Sequence, residues 1–346
     1  MTERRRRVPL SLILVVSAAL LAAVMALGIA IGPVHIGIGE VGHVLAVHLF
    51  GHGNDSPDDE IVWQIRVPRV LLAALIGATL TTAGTVMQVL VRNPLADPFL
   101  LGVSSGASVG ATAVLLFGVF ASLGVWALSV GSTIGALVAT ASVFAVARAG
   151  GRLMPTQLIL CGVVMSAMFE SVASFLLFKG NPQATQSVLF YLLGSFGSAT
   201  WDQLPIPAVV LLLSLVYLYS QSRPLNALAI GQDQAASLGI DVRRVRRNLF
   251  IVASVMAGVS VAVSGVIGFV GLVVPHIVRL LVRSDHRKVL PVGMLLGAAF
   301  MVLGDLLART IVAPQEMPIG VVTAFVGAPT LILLVRRRSY RFGGGA

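Results

Sequence analysis

The chain has 346 residues, of which 57% are hydrophobic and 11% are charged, and its mean hydropathy is +0.95. A soluble domain has roughly 25% charged residues, so this composition indicates an integral membrane protein. The single cysteine, Cys161, excludes a disulfide framework within the chain, and the formal net charge of +10 is informative mainly through where the charges fall.

Ten apolar segments follow one another along the chain, and each is long enough, or nearly so, for the roughly 20 residues of a helical membrane span. The first follows a basic start that resembles a signal peptide. Its apolar run from Val8 to Ile31 is longer than a signal's apolar region of about 7–15 residues, and no clear cleavage site ends it. We therefore expect a retained helix with Arg4–Arg7 as a cytoplasmic anchor. The predicted spans are residues 9–31, 68–91, 96–117, 124–147, 154–178, 203–221, 248–266, 270–283, 289–312 and 317–335.

The basic residues are distributed unevenly between the two sides of these spans. With the N-terminus inside, all but four of the 24 Lys and Arg residues fall in cytoplasmic segments. This asymmetry follows the positive-inside rule and argues against nucleic-acid binding. It also requires the eighth span, which is short and interrupted by Gly271 and Pro275. Both termini are then predicted to be cytoplasmic. The four outer basic residues are Arg66, Arg69, Lys179 and Arg309.

An internal repeat is suggested at an offset of 181 residues. An odd number of predicted spans separates its copies, so spans 2–5 and 7–10 would form an inverted repeat. Paired segments interrupted by Gly or Pro recur in transporters, where they indicate the substrate pathway. Chance matches in a glycine-rich chain are the alternative. The matching pairs are Gly77 with Gly258, Gly84 with Gly265, and Pro94 with Pro275.

The longest cytoplasmic connection, residues 222–247, has local helical character. Leu225, Leu228 and Ala229 have helical spacing, and Gly231 and Gly239 are placed to end two short helices. Such a helix pair suits docking to a partner protein. The alternative is a solvated loop whose arginines only hold the topology.

Enzyme chemistry has little support in the sequence. The chain has no G-x-x-x-x-G-K-[ST] phosphate loop and no Gly-Lys pair, so we expect that it does not hydrolyse ATP itself. His48 and His52 have metal-ligand spacing, but they lie in the polar outer loop at 32–60 and are interpreted as a solvated pair.

Two carboxylates fall inside predicted spans. Asp305 lies four residues before Arg309, which makes an ion pair on one helix face available. Glu170 has no local basic partner, and an ionisable group in a membrane costs about 3 kcal/mol or more unless it faces a cavity or a partner. Glu170 is therefore either a pathway residue or a member of a helix–helix hydrogen bond.

Several blocks in order resemble the FecCD/BtuC permeases, the membrane subunits of type II ABC importers for ferric siderophores, haem and cobalamin. The blocks are RVPRVLLAALIG, RNPLADPFLLGVSSGASVG, SGVIGFVGLVVPHIVRLL, GDLLAR and MPIGVVTAFVGAPTLILLVRR. The similarity extends from about Glu60 to Arg338.

The resemblance implies ten helices per subunit and a second permease copy or paralogue around a central pathway. It also implies two cytoplasmic ATPases that bind Mg-ATP and a substrate-binding protein outside, with no cofactor or metal in this chain. The loop after the sixth span would couple the permease to the ATPases through Gln232, Asp233, Gln234, Ala235, Ala236, Ser237, Leu238 and Gly239.

The resemblance also suggests three further groups of site residues. On the outer face, arginines would pair with glutamates of the binding protein, at Arg66, Arg69 and Arg309. The fifth span would line much of the pathway, with Ser166, Glu170 and Ser174 joined by Ser104 and Ser105. A gate loop before that span would include Gly150, Gly151, Met154 and Pro155.

The sequence thus predicts an all-α polytopic protein in the bacterial cytoplasmic membrane, with residues 1–346 forming one permease domain. A ferric siderophore is the expected cargo, and haem or cobalamin is the alternative within the family. An ion-coupled secondary transporter with Glu170 and Asp305 as proton carriers is the alternative from another class. An intramembrane enzyme would need clustered nucleophiles or metal ligands that the sequence lacks.

Overall fold

A computed structural model of the protein describes residues 9–51, 57–149, 155–180 and 182–337. Within these residues the secondary structure is helical and contains no strands, which confirms the all-α prediction. The helices are α1 (Leu10–Ala30), α2 (Ile38–Phe50), α3 (Val67–Val91), α4 (Val103–Phe117), α5 (Ala127–Ala149), α6 (Pro155–Lys179), α7 (Pro182–Leu192), α8 (Pro205–Ser220), α9 (Ser222–Ile230), α10 (Gln232–Ser237), α11 (Val242–Ser264), α12 (Val270–Val282), α13 (His286–Thr310) and α14 (Ile319–Arg337).

A helix lies at each of the ten places where the sequence predicts a span. Seven helical segments in the described part of the chain are long and apolar enough to cross a membrane. The other three, in α4, α12 and α14, are apolar but shorter. The sequence therefore located the apolar helices, while the count of ten membrane crossings stays a prediction.

The two predicted repeat halves make reciprocal contacts. Helix α3, the first of one half, packs against α12 and α13, the second and third of the other. In return α11, the first of the second half, packs against α4 and α5. A pseudo-two-fold relationship between spans 2–5 and 7–10 requires that the first helix of each half packs against equivalent helices of the other half. These contacts therefore support the predicted repeat.

The core of this arrangement is a close approach of helices at glycines of α3. A Cβ atom on Gly77 would lie 2.2 Å from the carbonyl oxygen of Gly297, and one on Gly84 would lie 1.9 Å from that of Gly271. Small residues allow membrane helices to approach to backbone contact. The glycines of α3 therefore fix how tightly it packs against α12 and α13.

The connection from α3 to α4 is irregular, as its two prolines predict. Helix α3 ends at Val91, and the next residue, Arg92, has a left-handed backbone (φ 54°). The segment Pro98–Leu101 then forms a single 3-10 turn, and the carboxylate of Asp97 accepts a hydrogen bond from the backbone N–H of Phe99 at 2.9 Å. No continuous helix is formed because proline lacks the N–H that would extend one.

The predicted break at Pro275 is wrong in position. Helix α12 passes through Pro275, and the interruption lies earlier, between Gly265 (φ +69°) and Phe269 (φ 69°). Pro275 leaves the carbonyl of Gly271 without its helical donor, but the side-chain amide of Gln88 donates to that oxygen at 3.2 Å. A neighbouring helix thus supplies the missing bond, so the helix continues.

The described parts of the segment at 32–60, which the sequence predicts to be an outer loop, are largely helical. They contain α2 and residues 57–59, and the latter continue through a π-helical turn, Glu60–Arg66, into α3. His48 stacks on Trp63 with ring centroids 4.2 Å apart, and Trp63 contacts Trp201. The prediction of a solvated histidine pair is therefore wrong for His48, because the aromatic stack shields its ring; His52 lies outside the described residues.

Candidate functional site

The connection at residues 222–247, predicted to be cytoplasmic, forms two short helices, α9 and α10, separated by Gly231. After α10 the chain reverses at Gly239, whose φ of +76° is the left-handed conformation that glycine favours. The N–H groups of Gly239 and Ile240 donate to the carbonyls of Ala236 and Ala235, which closes the last turn. The predicted pair of helices, and the glycines predicted to end them, are confirmed.

Helix α10 presents a mixed polar and apolar surface. Ala235 is fully buried and anchors the helix, whereas Asp233, Gln234, Ala236, Ser237 and Gly239 are exposed and Gln232 is half-buried. Two large apolar side chains stand out at its ends, since Ile230 is 73% exposed and Leu238 is 70% exposed. These two exposed apolar side chains, beside polar groups, leave the surface of α9 and α10 available to a partner, and its docking role stays a prediction.

Helix α9 connects this surface to the membrane helices. The side-chain amide of Asn226 donates to Asp285 at 3.0 Å, and its oxygen accepts from the backbone N–H of His286 at 3.0 Å. Asp285 caps the start of α13, and the hydrogen bond from Asn226 is the main reason that the pKa of Asp285 lies below its usual value. Leu225 and Leu228 of the same helix are buried. A displacement of α9 and α10 would therefore act directly on the start of α13.

At the C-terminal end of α1, two arginines donate hydrogen bonds to its free carbonyls. The last four carbonyls of a helix have no helical donor. Ile31 N–H donates to Leu27, Arg309 donates to the carbonyl of Gly28, and Arg66 donates to those of Ile29 and Ala30 at 3.0 and 2.8 Å. All four carbonyls of α1 are thus satisfied.

Arg69 belongs to a buried ionic cluster between α3 and α13. It donates to Asp305 through Nε and Nη2, at 3.0 and 2.9 Å, and to Glu316 through Nη1, at 2.7 Å. Asp305 also lies 3.4 Å from Arg309, so the predicted ion pair four residues apart on one helix is present. Asp305 is 1% exposed, whereas the Glu316 side chain is 39% exposed. The cluster therefore joins α3, α13 and the segment after α13 that carries Glu316.

The three arginines predicted to dock a binding protein are therefore all buried and occupied within the chain. Docking through them would require guanidinium groups that a partner can reach. The physical reason for their burial is that open helix ends and the buried carboxylate of Asp305 attract the arginines inward. Their role in docking stays a prediction.

Residues predicted for the pathway converge from two parts of the chain. A Cβ atom on Gly102 would lie 3.4 Å from Ser166 Oγ and 3.6 Å from Ser105 Oγ, so the middle of α6 meets the start of α4. Ser105 is buried and donates to the carbonyl of Gly102, while Ser104 and Ser166 are half-buried. This contact between α4 and α6 could not be predicted from the sequence.

Ser166, Glu170 and Ser174 form a polar stripe along α6, because residues four apart share a helix face. Glu170 and Ser174 are exposed in the isolated chain. At about 1.5 Å per residue, Glu170 lies about 22 Å from the first residue of a 25-residue helix, well inside the membrane depth. Among the described residues Glu170 has no ion pair or hydrogen bond, which disfavours the helix–helix hydrogen bond within one chain.

The predicted gate loop is described only at its end. Pro155 is the first residue of α6, a position that suits proline because it needs no N–H donor there. Gly150, Gly151 and Met154 lie outside the described residues.

Sequence reasoning missed three residues that the structure makes central: Gln88, Asn226 and Glu316. Gln88 had a weak signal, since it is an uncharged polar residue inside the apolar run of α3. Asn226 and Glu316 had none, because their partners are distant in the sequence.

Comparison with known proteins agrees with this arrangement. The model of the FecCD transport family matches residues 20–337. The hemin transport system permease protein HmuU of Yersinia pestis is 40% identical over 84% of this chain and 88% of its own length. The vitamin B12 import system permease protein BtuC of Klebsiella pneumoniae is 41% identical over 80% of this chain and 82% of its own. A solved structure, the inward-facing conformation of a protein assigned to the metal-chelate type of ABC transporter, has a TM-score of 0.83 and 31% identity, and covers 95% of this chain and 100% of its own.

Proposed function

The chain belongs to the FecCD transport family and is an ABC importer permease, and from this we propose that its cargo is a ferric chelate of the siderophore type. In this proposal the chain works with a second permease copy, two ATP-binding subunits on the cytoplasmic side and a substrate-binding protein outside. The membrane is the bacterial cytoplasmic membrane, with both termini inside. The chain contributes no ATPase site and needs no cofactor of its own.

The surface of α9 and α10 is the observation that best supports this mechanism. It exposes Ile230 and Leu238, and it is joined to the start of α13 through Asn226. An ATPase that closes on this surface would push or rotate α13, which packs against α3 and α1. Cytoplasmic ATP hydrolysis would in this way alter helices that extend to the outer side.

Transport would then proceed by alternating access. The loaded binding protein docks outside, the pathway between two permease copies opens toward it, and closure of the ATPases reverses the opening. The polar stripe of α6 suits the pathway, because a carboxylate such as Glu170 is strongly disfavoured against lipid. Its exposed face would be covered by water and by the second copy.

Haem or cobalamin remains the alternative cargo, since the relatives named above carry hemin and vitamin B12. Ion-coupled transport is less well supported. Its proposed carrier Asp305 is buried and forms ion pairs with both Arg69 and Arg309, so it belongs to an ionic cluster between helices and does not lie on the exposed surface of α6.

The test is ATP-driven uptake by the complete transporter in proteoliposomes. Leu238→Glu is expected to abolish co-purification of the ATPase and to remove ATP-driven uptake, because it places a charge at an apolar contact. Phe50→Glu is the matched control: Phe50 is 89% exposed but lies on the outer helix α2. Uptake by the permease without any ATPase, or full activity of Leu238→Glu, would contradict the proposed mechanism.

The cargo is tested separately with a labelled panel of a ferric tris-hydroxamate, haem and cobalamin. The binding protein is supplied in each assay. We expect ATP-dependent accumulation of the ferric chelate and little of the other two. Preferential accumulation of haem or cobalamin would replace the proposed cargo while leaving the permease assignment intact.

A further inference from the structure

The exposed surface of α6 has two chemically different edges. One edge carries Ser166, Glu170 and Ser174, and it borders the serines at the start of α4. The other edge carries Met168, Val172 and Phe175, all exposed and apolar. On a helical projection the two edges lie on opposite sides of the exposed face. The polar edge is therefore a distinct strip rather than scattered surface residues.

The charge on this strip is negative and uncompensated among the described residues. Glu170 is exposed and has no described cationic partner. The nearest basic residue along α6 is Lys179, nine residues further on, whose ammonium group lies over the ring of Phe175 on the other edge. In a dimer the strip would occur twice, once in each copy.

We infer that the polar strip of α6 selects cargo by charge, so that the permease favours cationic or neutral chelates over polyanionic ones. This inference rests on the proposed function and specifies its substrate class. Ferric tris-hydroxamates are neutral, or cationic when they carry a free amine, so their net charge is not negative. Ferric tris-catecholates are trianionic and would be repelled by the Glu170 carboxylates at each passage.

The magnitude follows from Coulomb's law. A unit charge within about 10 Å of a carboxylate, at an effective dielectric constant of about 20, has an interaction equivalent to roughly a tenfold change in local concentration. Salt reduces this effect at open sites. A preference of about tenfold between oppositely charged probes is therefore the expected size.

The first experiment measures the charge of the strip without any cargo. Cys161 is the only cysteine, so Cys161→Ala gives a thiol-free chain. Ser174→Cys is added in this background, and the assembled transporter is treated with a cationic and an anionic methanethiosulfonate reagent. The cation-to-anion rate ratio, relative to a free thiol, is expected to fall about tenfold when Glu170→Gln is introduced. Met168→Cys, on the apolar edge, should show no such dependence.

The second experiment uses three chelates that share one iron centre. They are a ferric linear tris-hydroxamate with a free amine, its N-acetylated form and its N-succinylated form, which are cationic, neutral and anionic. ATP-driven uptake by the wild type should decrease in that order. With Glu170→Gln the uptake of the three chelates should become nearly equal, and with Glu170→Lys the anionic chelate should be taken up best. Comparing variants with the same binding protein cancels that protein's own preference, and Glu40→Gln, on the outer helix α2, serves as the control.

The outcomes separate the inference from the proposed function. ATP-driven uptake of all three chelates with a charge order that Glu170→Gln leaves unchanged would overturn the inference but not the importer assignment. A Ser174→Cys thiol that neither reagent reaches would overturn it as well, because the strip would not face water. If Glu170→Gln removes uptake altogether, the labelling experiment still tests the inference. A cation-to-anion labelling ratio at Ser174→Cys that Glu170→Gln leaves unchanged would overturn it.

Discussion

The side-chain amide of Gln88 on α3 donates to the carbonyl oxygen of Gly271 on α12, at 3.2 Å. That carbonyl lies four residues before Pro275, which has no N–H to offer it. Arg279, one turn beyond Pro275, donates in turn to the amide oxygen of Gln88. One side chain thus replaces a helical hydrogen bond and ties the two repeat halves together where α3 and α12 are in backbone contact at Gly84.

The first prediction concerns this pair. Gln88→Met should lower the free energy of unfolding by about 1–3 kcal/mol, because it leaves a buried carbonyl without a donor. Pro275→Ala restores the helical N–H, so it should recover part of that loss in the double variant. Thermal unfolding of the four proteins in detergent gives the coupling energy. Strictly additive effects would show that Gln88 does not substitute for the missing donor.

The second prediction compares the two carboxylates that Arg69 contacts. Asp305→Ala should destabilise the protein by about 3–5 kcal/mol, because it leaves Arg69 and Arg309 buried together without their shared anion. Glu316→Ala removes a half-exposed partner of the same arginine and should cost at most about 1 kcal/mol. The measurement is the thermal unfolding midpoint of each purified variant. Equal losses would argue that burial does not set the strength of the cluster.

A third prediction uses two glycines that the repeat pairs with each other. Gly77→Ala places a methyl group 2.2 Å from the carbonyl oxygen of Gly297, and the helices must separate to accommodate it. We expect a loss of about 1–3 kcal/mol or failure to fold. Gly258→Ala meets only Ala136, at an ordinary 3.5 Å, and should be neutral or stabilise α11 by up to about 1 kcal/mol. Yield of folded protein and the unfolding midpoint distinguish the two, and a reversed order would contradict the packing.

The fourth prediction concerns transmission from the cytoplasmic helices. Asn226→Ala should leave ATPase binding intact, since the exposed face of α10 is unchanged. It should lower the amount of cargo moved per ATP several-fold, because α9 loses its hydrogen bonds to Asp285 and His286. Asn248→Ala, on the cytoplasmic part of α11, is the control. An unchanged amount of cargo moved per ATP hydrolysed would show that the hydrogen bonds of Asn226 do not couple the ATPase to the membrane helices.

Much of the architecture followed from the sequence because it depends on local chemistry. Apolar length located the helices, glycine placed the ends of α9 and α10, and a four-residue spacing gave the Asp305–Arg309 pair. The serines and Glu170 of α6 were identified as candidate pathway residues because polar residues inside an apolar span are conspicuous, and that role stays a prediction.

What the tertiary structure decided was the direction and partner of each group. The sequence predicts an outward-facing role for Arg66, Arg69 and Arg309. The free carbonyls of α1 and the carboxylate of Asp305 instead bind their side chains in the interior of the protein. Pro275 was expected to break a helix, but Gln88, distant in sequence, supplies a donor.

The difference has a simple physical origin. Helix formation is governed by hydrogen bonds between residues four apart, so a short window of sequence determines it. The fate of a buried charge or an unpaired carbonyl depends on which group is brought within about 3 Å of it. Which groups come within this distance depends on how closely α12 and α13 pack against the glycines of α3, and this packing is a property of the assembled fold.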